Sequence, residues 1–334
     1  MPRHKRLEIP GAIYHVIARG IERRDIFTDD KDRKEFVRRL AEGIKEVHCL
    51  CYGWALMPNH FHLIIRTGIR PLGDLMRKLL TGYAVYFNRR HKRSGYLYQN
   101  RYKSILCQED VYLLELVRYV HFNPLRSRLV KNLQELISYK WCGHAAIMGE
   151  IGNDWQSTDE ILQRFGRNNI EARKKYFEFM RDGEKTGKRD DLTGGGLRRS
   201  AGGWKGIMNL KKTCERWQGD ERMLGDGDFV NHALKISEEA ITRKDKLIRA
   251  GWSEQRLVQH VCTLLGIKQE ELLRKGKNNK ISDAKGLIAY WGKRELGLKG
   301  TEIGKLLGIT KQAVSLLLAR GEETVKRNNY NLTS

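Results

Sequence analysis

Pro58-Asn59-His60-Phe61-His62-Leu63-Ile64-Ile65 is the stretch on which the reading of this chain turns. A turn pair, Pro-Asn, leads into an apolar run of strand length, which predicts a buried β-strand. Side chains two apart in a strand share a face, so the imidazoles of His60 and His62 stand side by side. Paired imidazoles against an apolar wall suit a divalent metal if a third ligand arrives from elsewhere. The same spacing also occurs in histidine pairs that only pack or hydrogen-bond.

Moving outward, Ala12 to Arg19 alternates like a strand and stops at Gly20. Asp29 to Val47 spaces Phe36, Val37, Leu40, Ile44 and Val47 as one helix face, and Cys49 to Met57 reads as a second strand. After the histidine strand, Pro71 to His91 predicts a helix, with proline in its first turn. Leu97 to Cys107 looks extended, and Glu109 to Phe122 is helical until Pro124 stops it. The order β-α-β-β-α-β plus a trailing helix is that of a ferredoxin-like split βαβ unit. An α+β fold with an antiparallel sheet follows, one face under helices and the other open to a substrate.

The chain has 334 residues and a formal net charge of +23, with a pI of about 9.8. Residues 1–150 hold 27 Lys+Arg against 15 Asp+Glu, and the remainder 36 against 25. Basicity is thus spread over the whole chain, and nucleic acid is the expected partner. Six cysteines lie scattered without a CxxC pair, as free thiols in a reducing compartment would. No apolar signal core follows the basic N-terminus and no run approaches membrane-span length, so a cytoplasmic, membrane-free protein is expected.

The helix after the extended segment carries Tyr119 and, one turn on, Asn123. Residues four apart share a helix face, so both could meet the histidine strand. Two imidazoles and an amide oxygen would hold a metal that polarises a phosphate, and a tyrosine hydroxyl in line could attack the phosphorus. His121 falls two residues from Tyr119, on a different side of the helix. Each residue also has an ordinary use: Tyr119 as a packed aromatic, Asn123 as the end of a helix.

Larger motifs change the weights. Arg19-Gly20 with Ile26-Phe27, Asp32 and Phe36, then Ala55 to Leu63, Arg101-Tyr102-Lys103, and Arg118-Tyr119-Val120-His121-Phe122-Asn123-Pro124-Leu125-Arg126 stand in order over residues 1–150. This region resembles the single-tyrosine HUH transposases, specifically the REP-associated tyrosine transposases. The resemblance implies that His60 and His62 bind Mg²⁺ or Mn²⁺, that Asn123 is the third ligand, and that Tyr119 is the nucleophile. It implies nicking and strand transfer of single-stranded hairpin DNA through a 5′-phosphotyrosine, by a monomer or homodimer. Arg23, Arg24, Arg90, Arg101 and Lys103 are candidate phosphate contacts, with Lys5, Arg6, Arg89, Lys92 and Arg93 beside them. Tyr96, Tyr98 and Tyr102 are candidates for stacking on unpaired bases. A non-catalytic regulator binding hairpin DNA or RNA on the same scaffold is the alternative. A histidine-triad nucleotide hydrolase fails at Ile64, where a third alternating histidine would be needed.

Signals weaken from about Trp155, with Gly194-Gly195-Gly196 and Gly202-Gly203 interrupting short basic helices. The expected organisation is a catalytic domain over 1–150, a helical, Gly-rich connector over 151–236, and an all-α domain over 237–334. In the last, Gly300 to Ser315 reads as a helix-turn-helix. Thr301 and Thr310 would cap the helices and Gly308 make the turn, and Lys311, Gln312 and Ser315 would be offered to a major groove of duplex DNA. Gln255 to Arg320 resembles the DNA-binding domain of the bacterial replication initiator, although that family's base-contacting signature is not recognisable at Thr310-Lys311-Gln312-Ala313.

Overall fold

A computed structural model describes residues 7–68, 70–184, 222–273 and 280–332. They divide into two compact units, Met1–Leu234 and Lys235–Ser334.

The first unit is built on β1 (Ile13–Arg19), α1 (Asp30–Val47), β2 (Leu50–Met57), β3 (His60–Arg66), α2 (Leu72–Arg90) and β4 (Lys103–Cys107). The strand order is β2-β3-β1-β4, each pair antiparallel, which is the ferredoxin-like arrangement the sequence predicts. Alternation sorts the side chains. Tyr14, Val16, Ala18, Phe61, Leu63 and Ile65 join Phe36, Leu40 and Ile44 of α1 and Leu75, Met76 and Tyr83 of α2 in one core. Asp29 caps α1 by accepting from the backbone N–H groups of Lys31 and Asp32. Asp32, fully buried, accepts from the Thr28 N–H at 2.9 Å and pairs with Arg90 and His91 at the end of α2. A buried carboxylate needs such partners, and these tie the two helices together.

The opposite face of the sheet is covered as well. α3 (Glu109–His121), α4 (Asn123–Arg126), α5 (Leu133–Ile137), α6 (Gly143–Met148), α7 (Thr158–Leu162) and α8 (Asn169–Glu184) follow β4. Leu113, Leu116, Val117 and Val120 of α3 pack with Ile13, Ala55, Ile64 and Ile105 of the sheet, and with Ile161, Ala172, Tyr176 and Met180 behind them. The expected open face is therefore largely closed, and a substrate has access only at its rim. Pro124 does not end the helical path: it occupies the first turn of α4, where its missing N–H costs nothing. The fold of this unit also runs past residue 150, through α7 and α8. A fifth strand, β5 (Met223–Leu224), pairs parallel to β4, Leu106 opposite Met223 and Cys107 opposite Leu224. The Gly-rich runs at 194–196 and 202–203 lie outside the described residues.

The second unit contains α10 (Glu254–Leu265), α11 (Lys280–Arg294), α12 (Gly300–Leu307) and α13 (Lys311–Asn328); the division between units falls within α9 (Gly227–Arg249). Leu257, Leu287, Ile288, Trp291, Ile303, Leu307, Val314 and Leu318 are buried. α11 and α13 meet at Gly286 and Gly321, so closely that a Cβ on Gly321 would fall 2.1 Å from the Gly286 carbonyl oxygen. Gly308 makes the α12–α13 turn at φ +63° and Thr310 caps α13, as expected. Thr301 does not cap α12. Its helix starts at Gly300, and the Glu302 carboxylate accepts from the Lys299 N–H at 2.6 Å. Among the described residues, no helix is long and apolar enough to cross a membrane.

Candidate active site

β3 and β1 run antiparallel with Arg19 opposite His60 and Ile17 opposite His62. His60, His62, Arg19 and, four residues back, His15 therefore share the sheet face that α3 covers. His62 is 4% and His15 1% exposed, while His60 is half-buried at the rim. The His60 and His62 rings are 5.2 Å apart, centre to centre. Tyr119, half-buried on α3, sits with its ring 6.0 Å from His62 and 5.8 Å from His15, edge-on to both.

Each histidine of the pair is held by its Nδ1. The His62 Nδ1 lies 2.9 Å from the His15 Nε2. The His60 Nδ1 lies 2.6 Å from the Asn59 Oδ1, and the Asn59 Nδ2 donates to the Arg23 carbonyl at 2.9 Å, which fixes the way that amide points. Nε2 is left in both rings for a ligand. Burial, with Arg19 nearby, pushes the His60 pKa down to about 4. Burial pushes His62 well below its usual range, helped by His15, His60 and Arg19. Both rings are then neutral near pH 7, the state that ligates metal. Among the described residues no group of three His, Cys, Asp or Glu could hold a metal. A cation at the pair must complete its shell with amide, phosphate or water oxygens, as a hard ion such as Mg²⁺ or Mn²⁺ does. The donor set fits.

Asn123 stands one turn beyond Tyr119, at the start of α4. Its Nδ2 donates to the carbonyls of Tyr119 at 3.0 Å and Val120 at 3.1 Å, so Oδ1 is the atom left to a cation. The hydrogen bonds described for it run to the helix and not to a histidine. Burial raises the Tyr119 pKa, and Arg126 and Arg19 oppose that. The Arg126 guanidinium lies over the phenol ring at 5.1 Å from its centre, and its Nη1 donates to the Tyr119 carbonyl at 3.3 Å. His121 turns away as expected: fully buried, its Nδ1 is 2.8 Å from the Tyr176 hydroxyl, which also lies 3.0 Å from the His144 Nδ1.

The candidate DNA contacts divide. Arg23, Arg101, Lys103 and Gln312 are exposed, and Arg24 is exposed but pairs with Glu22 at 2.8 Å. Arg90 is taken up by Asp29 and Asp32 and serves the α1–α2 junction instead of an open surface. Ser315 is 5% exposed, one residue from the buried Val314, because the inward face of α13 is wider than the spacing suggested. The side chain of Lys311, and residues Lys5 and Arg6, lie outside the described residues. Tyr96, Tyr98, Tyr102 and Arg101 line a cleft of about 910 Å³ against α2, with Leu80, Ala84 and Val85. Tyr96 is 84% and Val85 63% exposed, whereas Tyr102 is buried.

Sequence reasoning missed His15, Asn59, Arg19 and Arg126 as parts of the site. The alternation of β1 carried a signal for His15 and Arg19, because both fall on one face of a strand next to the histidine strand. Arg126 closes the quoted motif, but spacing gave no hint of its approach to Tyr119, which depends on α4 continuing past Pro124.

A search of curated proteins found no match. Among solved structures, one described as the structure of a REP-associated tyrosine transposase bound to a REP hairpin is similar at 15% identity and a TM-score of 0.38, covering 48% of this chain and 93% of the other. The family described as "Transposase IS200 like" matches residues 9–123. That segment runs from just before β1 through α3 to Asn123, and so holds His15, His60, His62 and Tyr119. Over residues 9–123, this chain is similar to the IS200-like transposases, the resemblance its motifs lead one to expect.

Proposed function

We propose that this protein is a DNA-nicking and strand-transfer transposase acting on single-stranded DNA next to a hairpin, with Tyr119 as nucleophile. The observation that carries the reading is the approach of the Tyr119 ring to the histidine pair, 6.0 Å from His62, at the open rim of the sheet. His60 and His62, through Nε2, and Asn123, through Oδ1, would hold Mg²⁺ or Mn²⁺. A divalent ion there would polarise the scissile phosphate.

The chain's own residues account for the rest. Arg19 and Arg126 offset the burial that raises the Tyr119 pKa, easing loss of the phenolic proton. The Tyr119 oxygen then bonds to phosphorus, the bond from phosphorus to the 3′-oxygen breaks, and that oxygen takes a proton as the 3′-hydroxyl. The 5′-phosphotyrosine conserves the phosphodiester, so rejoining needs no nucleotide cofactor. Arg23, Arg24, Arg101 and Lys103 would position the backbone, and the cleft lined by Tyr96 and Arg101 would take unpaired bases. The organisation proposed is a catalytic domain followed by a region that completes it, then a helical domain whose second motif helix, through Lys311 and Gln312, binds duplex DNA. Such a protein would work in the cytoplasm, where its DNA lies, as a monomer or homodimer.

The test is incubation with Mn²⁺ and labelled hairpin DNA carrying a single-stranded flank, followed by denaturing electrophoresis. The wild type should form a denaturation-resistant adduct that chelator abolishes. Tyr119→Phe should form none while still binding the hairpin. Undiminished adduct in that variant removes Tyr119 from the mechanism. Tight binding with no adduct from the wild type favours a non-catalytic binder.

A further inference from the structure

His15 belongs to neither the metal ligands nor the nucleophile, yet at 1% exposure it is buried more deeply than His62 beside it. The β1–β3 register sets Ile17 opposite His62, so His15 lies diagonally across from it. The ring centres are 5.1 Å apart with 20° between their planes, and the His15 Nε2 lies 2.9 Å from the His62 Nδ1. Asn59 stands in the same relation to His60, with its oxygen turned to that Nδ1.

A histidine that ligates through Nε2 must carry its proton on Nδ1, and that N–H needs an acceptor when buried. For His60 the acceptor is an amide oxygen whose orientation is fixed by the Arg23 carbonyl. For His62 it is a second imidazole. We infer that His15 is a positioning residue: it accepts the Nδ1–H of His62 and so keeps the His62 Nε2 lone pair bare for a divalent cation. The two rings lie nearly in one plane and meet edge to edge, the geometry of an in-line nitrogen-to-nitrogen hydrogen bond. This inference rests on the reading of His60 and His62 as ligands.

The test is Mn²⁺ binding to the full-length protein without DNA, followed by calorimetry. His15→Leu fills similar space and accepts nothing; His15→Gln restores an acceptor oxygen. Loss of an acceptor behind a metal-bound histidine typically costs about 10–100-fold in affinity. The expected result is that Leu weakens Mn²⁺ binding within that range and Gln recovers most of it, with both variants folded by circular dichroism. Equal Mn²⁺ affinity in the wild type and a folded His15→Leu protein overturns the role of His15 and leaves the ligand assignment standing. A wild type that binds no Mn²⁺ overturns the ligand assignment and this inference with it. Should His15→Leu fail to fold, the ¹⁵N shifts of His62 in Mg²⁺-loaded wild type decide. A proton on Nδ1 supports the assignment, and one on Nε2 overturns it.

Discussion

Acidification from pH 7 to about pH 5 should cost the first unit a large share of its stability. His144, buried behind α3, has its pKa pushed down to about 3 by desolvation. His62 and His121 are pushed well below 6.5 for the same reason. These rings stay neutral in the folded protein, while in the unfolded chain they take up protons below about pH 6.5. Unfolding therefore binds protons across that window, so stability falls as pH drops from 6.5 and the penalty from His144 levels off only near pH 3. At pH 5 each such ring costs about 2 kcal/mol relative to pH 7, or about 6 kcal/mol for the three. Domains are typically stable by only about 5–15 kcal/mol. His60, partly exposed, adds less in the same direction. Urea unfolding by tryptophan fluorescence at stepped pH values reads the loss directly. A decrease under about 2 kcal/mol between pH 7 and pH 5 would refute the idea that these rings are buried and neutral.

Two further outcomes follow from the packing. Tyr176→Phe removes the hydroxyl that serves both His121 and His144; two orphaned buried ring nitrogens should cost about 2–4 kcal/mol in urea unfolding, and a change within experimental error would remove the bridge from the account. Gly321→Ala, in place of the gain of about 1 kcal/mol usual for a helix interior, should lower the melting temperature of the second unit because the new methyl meets the Gly286 backbone; a stabilised variant would show that α11 and α13 do not cross there.

The sheet was legible because its strands carry two simple signals, apolar runs and turn residues such as Pro58-Asn59. Helix termini at Asp29 and Pro71 followed from residue chemistry alone. The histidine pair and Tyr119 were legible from spacing, and the family motifs supplied their expected roles. The structure brings those three together; the roles themselves, and Asn123 as a ligand, stay proposals. What pattern could not supply was contact between distant segments. Nothing local in Tyr176 announces that it will meet His121, and nothing in Arg90 distinguishes a free cation from one locked to Asp32. Ser315 failed for another reason. A helix with a broad apolar face hides polar positions next to its hydrophobic ones, and spacing alone does not tell how broad that face is.

β5 gives the first unit a late keystone. On the outer edge of β4 the Leu106 and Gln108 N–H groups wait for the carbonyls of Arg222 and Leu224 before they are paired. During synthesis, then, the sheet spends the interval with that border open, available to any other extended strand. Ending the chain soon after the helix that bears Tyr119 would make the condition permanent. A shortened piece spanning only the family-like segment would be more adhesive than the 334-residue chain, even with every residue of the reaction centre in place.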